Sequence, residues 1–126
     1  MNYLLINIKI LTFFLISFLK FKYFILGKGF ILYDYFGNII ISNSKAEKIF
    51  QYNKNELIGK NYLDLMPKNK EAIVDNLTFF KSIISKEKNN QKYFFKKRRT
   101  KKGKEITILI RTINYHYIKR YASIIN

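Results

Sequence analysis

The sequence predicts an α+β fold built on one antiparallel sheet, with short helices and one longer helix gathered on one face and a hydrophobic helix in front. Three patterns predict it. A hairpin with a tight turn spans residues 30–42, two helix-capping boxes follow it in quick succession, and period-two alternation returns after residue 92. The length of 126 residues suits one compact domain. Apolar residues make up 48% and aromatics 17%, which excludes a disordered basic tail. There is no Cys and no Trp, so disulfides, thiolate metal sites, cysteine nucleophiles and cysteinyl-flavin photochemistry are excluded together.

The first 26 residues are dominated by Leu, Ile and Phe, interrupted mainly by Asn2, Asn7, Lys9, Thr12, Ser17, Lys20 and Lys22. Two readings stand side by side. A spanning helix needs about 20 apolar residues, and Lys9 near the bilayer centre would cost about 2.5–3.5 kcal/mol. At 100° per residue, however, Asn2, Lys9, Thr12, Ser17 and Lys20 share one sector, as in an amphipathic helix that docks on a domain, a twin helix or a membrane surface. A cleaved signal peptide is disfavoured, because no small-x-small site follows the apolar run. Residues 1–28 are therefore assigned to this segment and 29–126 to the domain.

After Gly27 and Gly29 the period changes. Phe30 to Asp34 reads as a strand, Tyr35-Phe36-Gly37-Asn38 as a tight turn, and Ile39 to Ser42 as the returning strand. Ser44-Lys45-Ala46-Glu47 has capping-box spacing, with Asn43 as the alternative cap, and opens a short helix. A second box at Asn53-Lys54-Asn55-Glu56 predicts another helix ended by Gly59, and Asn61 caps one more turn before Pro67. From Lys70 to Ser85, Ile73, Leu77, Phe80 and Ile84 recur at helical spacing and predict the longest helix of the domain. Tyr93–Thr100 and Glu105–Ile113 are strands joined through Lys101-Lys102-Gly103-Lys104, and Lys119–Ile125 supplies a last strand.

This order resembles the PAS sensory domains of the S-box type. The carrying residues are Gly29-Phe30-Ile31-Leu32-Tyr33-Asp34, Gly37-Asn38-Ile39, Asn43 through Phe50, and Tyr52 with Glu56 through Asn61. Leu65-Met66-Pro67 and Arg98 through Glu105 continue it. The resemblance covers residues 29–125, and the run from Asn43 to Pro67 is its most specific portion. One departure is Gln51, where the family usually has Gly. The resemblance implies a five-stranded sheet with helices over one face, a small pocket between sheet and long helix, and sensing, dimerisation or protein interaction rather than catalysis. The residues agree on the last point, since one His, no Cys and scattered carboxylates place no nucleophile, base and orienting group together. Family members often continue past the last strand into an output domain; none is expected within this chain, so its output is expected from a partner chain or from residues beyond Asn126.

Haem-binding members resemble the chain through Leu-Met-Pro, but Val74 stands at their axial His position, and an alkyl side chain cannot ligate iron. Neither haem nor flavin is expected, and no metal. His116, the only His, reads as a solvated turn residue. The candidate pocket is apolar, lined by Ile73, Leu77, Phe80, Ile106, Ile108 and Ile110. It is filled by its own side chains or holds a small apolar ligand.

Charge is distributed unevenly. The formal net charge is +16, and residues 91–126 hold eleven Lys and Arg against Glu105 alone. Lys96, Lys97, Arg98, Arg99, Lys101, Lys102 and Lys104 are the candidate polyanion contacts within 92–120. On a strand and hairpin tip a solvated edge accounts for most of them. In the alternative, a small basic binding protein uses them against nucleic acid or, equally well, anionic lipid. The expected partner is a second copy or a signalling protein rather than nucleic acid, and the expected location is cytoplasmic, with membrane association through residues 1–26 as the variant.

Overall fold

The computed structural model describes residues 2–70, 74 and 92–126; for residues 2–6 and 117 the description is limited to the backbone. Helix α1 (Asn2–Ile25) leads into strands β1 (Gly29–Asp34) and β2 (Ile39–Ser42), then helix α2 (Ser44–Phe50) and a 3₁₀ turn, Tyr62–Leu65. Strands β3 (Phe94–Arg99), β4 (Glu105–Tyr115) and β5 (Arg120–Ile125) complete the chain. The five strands form one antiparallel sheet in the order β2-β1-β5-β4-β3. Apart from Lys70 and Val74, the long helix predicted over 70–85 lies outside the described residues, and Ile73, Leu77 and Phe80 with it.

The β1–β2 hairpin turns as the sequence predicts. Gly37 takes φ +87°, and the Asp34 carboxylate accepts the N–H groups of Phe36 and Asn38 at 2.9 Å each. A Cβ on Gly37 would stand 2.4 Å from the Tyr62 ring, so this corner needs glycine twice over.

Of the two candidate caps for α2, Asn43 is the one used. Its Oδ1 accepts from Ala46 N–H and from Phe30 N–H, both at 3.0 Å, and its Nδ2 donates to the Lys28 carbonyl at 2.9 Å. One buried side chain thereby ties the helix start to the first strand. At the other end Gln51 takes the left-handed conformation, φ 64° and ψ 37°, and its N–H closes on the carbonyls of Glu47 and Lys48. That is the conformation a glycine adopts freely, which gives the family's usual Gly a physical reason.

The second capping box opens no helix, contrary to the sequence expectation. Asn53 N–H does reach the Glu56 carboxylate at 2.9 Å, but Asn55 at φ 63° and Gly59 at φ +89° turn the chain out of the helical path. The segment runs instead through successive turns, with Leu57 fully buried beneath them. Asn61 caps the 3₁₀ turn reciprocally with Asp64, satisfying both ends of a true box.

Period-two alternation sends the sheet's side chains to two cores. On the inner face Ile31, Tyr33, Ile108, Ile110, Tyr121 and Ile125 pack with Phe50, Leu57, Leu65 and Met66. On the outer face Phe30, Leu32, Ala122 and Ile124 pack against Leu19 and Tyr23 of α1. Tyr23 stacks on Phe30 with ring centroids 5.3 Å apart and receives a hydrogen bond from Arg111 at 3.3 Å. Lys28 donates to the Tyr93 hydroxyl at 2.7 Å beside it.

Candidate functional site

The inner face brings Ile106, Ile108 and Ile110 together, as the alternation of β4 requires: Ile108 and Ile110 are buried, and Ile106 is half-buried against the same cluster. The other candidates for the pocket, Ile73, Leu77 and Phe80, lie outside the described residues. Beside the isoleucines is a polar centre. Tyr33 and Tyr121 stack with centroids 4.8 Å apart, Ser123 hydrogen-bonds Tyr33, and the Tyr35 hydroxyl donates to Asn114 at 2.8 Å. Burial pushes the phenols of Tyr33, Tyr62 and Tyr121 above their ordinary range, so all three are neutral hydroxyls at physiological pH.

Arg98 enters this centre rather than the basic surface. Its register partner is Ile106, which places its side chain with the even-numbered isoleucines, and it is only 7% exposed. Its Nη1 donates to the Lys97 carbonyl at 2.9 Å. Burial lowers its pKa from the ordinary guanidinium value, and the nearby phenols of Tyr33, Tyr121 and Tyr62 act in the opposite sense. The polar centre was not among the sequence candidates, but the hairpin register carried the signal: pairing residue 98 with 106 puts Arg98 inside.

The remaining bases of the run lie along β3, the last strand in the sheet order, and its hairpin tip. Lys97, Lys101, Lys102 and Lys104 are exposed, and Lys96 and Arg99 are half-buried. Glu105 pairs with Lys97 at 3.5 Å, Glu56 with Lys101, and Arg99 donates to the Asp64 carbonyl at 3.0 Å. Val74 is 59% exposed, and His116 is exposed in the turn before β5. Among the described residues no three His, Asp or Glu side chains gather where they could hold a metal.

The outer side is different in kind. Helix α1 meets the sheet through Ile16, Leu19 and Tyr23, while Phe13, Phe14, Phe18, Phe21, Phe24 and Ile25 are exposed. Between α1 and the β2–α2 edge runs an open groove of about 900 Å³, walled by Phe13, Phe21 and Phe24 on one side and Ile41, Glu47 and Tyr52 on the other. Among the described residues no helix is long and apolar enough to cross a membrane.

A single sheet in the order β2-β1-β5-β4-β3, with a capped short helix after the first hairpin, is now matched by comparison with known proteins. The sequence model of the PAS fold matches residues 26–122. The chain belongs to the PAS fold family. Its architecture is similar to the PAS domain of the RpfR quorum-sensing receptor of Cronobacter turicensis in complex with BDSF, at TM-score 0.64 and 16% identity, covering 79% of this chain and 92% of that one. It is also similar to the PAS domain, in complex with ethanol, of a LuxR-family transcriptional regulator from Burkholderia thailandensis, at TM-score 0.63, 14% identity and coverages of 79% and 87%. A domain of a sensory box sensor histidine kinase/response regulator from Geobacter sulfurreducens follows at TM-score 0.62, 12% identity and coverages of 79% and 82%. No curated protein sequence matches the chain. As a PAS domain, the chain is a sensory signalling module.

Proposed function

We propose that this PAS domain senses on its inner face and signals through α1, which pairs with α1 of a second copy. The observation that carries this is the exposed row of Phe14, Phe18, Phe21 and Ile25 on a helix already anchored to the sheet by Leu19 and Tyr23. Contiguous apolar surface of that kind marks an interaction site. Both cores share the strands, so occupancy of the inner face changes the floor on which α1 rests. With Val74 at the family's haem position and no Cys or Trp, the domain works without haem or flavin. Native mass and absorption spectrum recorded together test this: a dimer at micromolar concentration with no Soret or flavin band is expected. A monomer would refute the pairing, and a stoichiometric chromophore band would refute the cofactor assignment.

A second reading rests on the exposed Lys9, Lys20 and Lys22 of α1, which suit anionic headgroups beside the inserted phenylalanines. Binding to phosphatidylserine vesicles that weakens as salt rises would support it over pairing.

A further inference from the structure

We infer that the groove between α1 and the β2–α2 edge binds a fatty carboxylate, its alkyl chain along Phe13, Phe21 and Phe24 and its carboxylate among Lys20, Lys48 and Lys54. The groove uses a different side of α1 from the proposed pairing and shares only the rim residue Phe21 with it. At 100° per residue, Ile16, Leu19 and Tyr23 fall in the sector turned to the sheet, and Phe14, Phe18, Phe21 and Ile25 in the sector turned away from it. Phe13, Ser17, Lys20 and Phe24 occupy a third sector between the two, and that sector is the α1 wall of the groove.

Two features of the walls set the ligand class. The first is shape. From Phe13 to Phe24 the helix rises about 16 Å, and the groove of about 900 Å³ follows it, with Ile41 and Tyr52 across from the rings. A lengthwise apolar track suits one extended hydrocarbon chain, whereas a compact ligand would leave most of the rings in water. The second is charge. Among the described lining residues the charged groups are Lys20, Lys48, Lys54 and Glu47, three ammoniums against one carboxylate. The lysines are exposed, while Glu47 is 7% exposed and its carboxylate accepts Asn55 N–H at 2.5 Å. The walls therefore favour an anion. A second copy, at a formal +16, brings the wrong sign to them, and so does a cationic amphiphile.

The chain has no Trp, so one introduced Trp reports its own position. The full chain carrying Ser44→Trp, at the groove edge, or Phe18→Trp, on the far row of α1, is titrated by fluorescence with monomeric dodecanoate, and with dodecyltrimethylammonium and 1-dodecanol as cationic and uncharged counterparts. For Ser44→Trp a change that saturates at one equivalent is expected, at least tenfold tighter for dodecanoate than for either counterpart. Decanoate and octanoate should bind more weakly, by up to about fourfold per methylene removed. Phe18→Trp should not respond. Adding Lys20→Gln, Lys48→Gln and Lys54→Gln together should weaken dodecanoate at least tenfold and leave 1-dodecanol unchanged; if that variant fails to fold, the three head groups compared in Ser44→Trp decide alone. No response, equal binding of the three head groups, or an equal response from Phe18→Trp overturns the proposal. A Ser44→Trp signal that moves with protein concentration before any amphiphile is added would seat a second copy in the groove, and a response to phosphatidylserine vesicles without one to dodecanoate would give the lysines to a membrane surface; either overturns it as well.

Discussion

Among the described residues, the inner face of the sheet packs against short pieces of chain fixed by their own caps, whereas the outer face meets a helix of 24 residues through Ile16, Leu19 and Tyr23. Helix α2 has only seven residues, too few to persist alone, yet it buries Ala46, Glu47 and Phe50 and is held at both ends. Helix α1 has length but little burial. Burial in these two helices therefore does not follow their length. The side with surplus apolar surface is the side on which the proposed pairing places the second copy.

The largest expected difference between the two sides is in stability. Phe50→Ala, in the inner core, should cost about 3–5 kcal/mol, and Leu19→Ala, beneath α1, about 2–3 kcal/mol. Urea denaturation measures both, and equal losses would remove the distinction between a packed face and a lightly covered one. Next comes Asn43→Ala. It removes the α2 cap and strands the buried Phe30 N–H, for an expected loss of about 2–4 kcal/mol. A loss below 1 kcal/mol would mean that water replaces the cap and that α2 is held by packing alone. Gln51→Gly should act in the opposite direction, stabilising by about 0.5–1 kcal/mol, because the left-handed C-terminal position of α2 suits glycine.

The smallest effect is electrostatic. The hydrogen bond from Lys101, followed by that from the Asn53 backbone, holds the Glu56 carboxyl below its ordinary value of 4.5. A carboxyl with a depressed folded-state pKa contributes stability above its unfolded-state value, and that contribution fades as pH falls through the folded-state value. The difference in melting temperature between the parent and Glu56→Gln should therefore be present at neutral pH and vanish in acid. A difference that persists at the lowest pH would assign the effect to packing.

The sequence made the hairpin legible because Gly37 and Asp34 are local devices, read without knowing what lies across the sheet. Asn43 was legible for the same reason. The turns after Asn53 were not: a capping box specifies how a helix starts, while Asn55 in the left-handed region and the burial of Leu57 beneath the turns are set by tertiary packing. Arg98 was hidden by its neighbours. A run of bases reads as surface, and only the register with Ile106 turns one of them inward. The docking of α1 on Phe30 and Leu32 was open for a related reason, since alternation shows that β1 has two faces without saying what covers each.

The central claim is that α1 is the surface through which two copies meet. The chain has no cysteine, so a single engineered thiol reports one position cleanly. Phe18→Cys, on the exposed side of α1, and Lys102→Cys, at the far hairpin tip, are each oxidised mildly at micromolar concentration and run on a non-reducing gel. The account predicts a disulfide-linked dimer for Phe18→Cys and monomer for Lys102→Cys; monomer for both, or equal dimer for both, would contradict it.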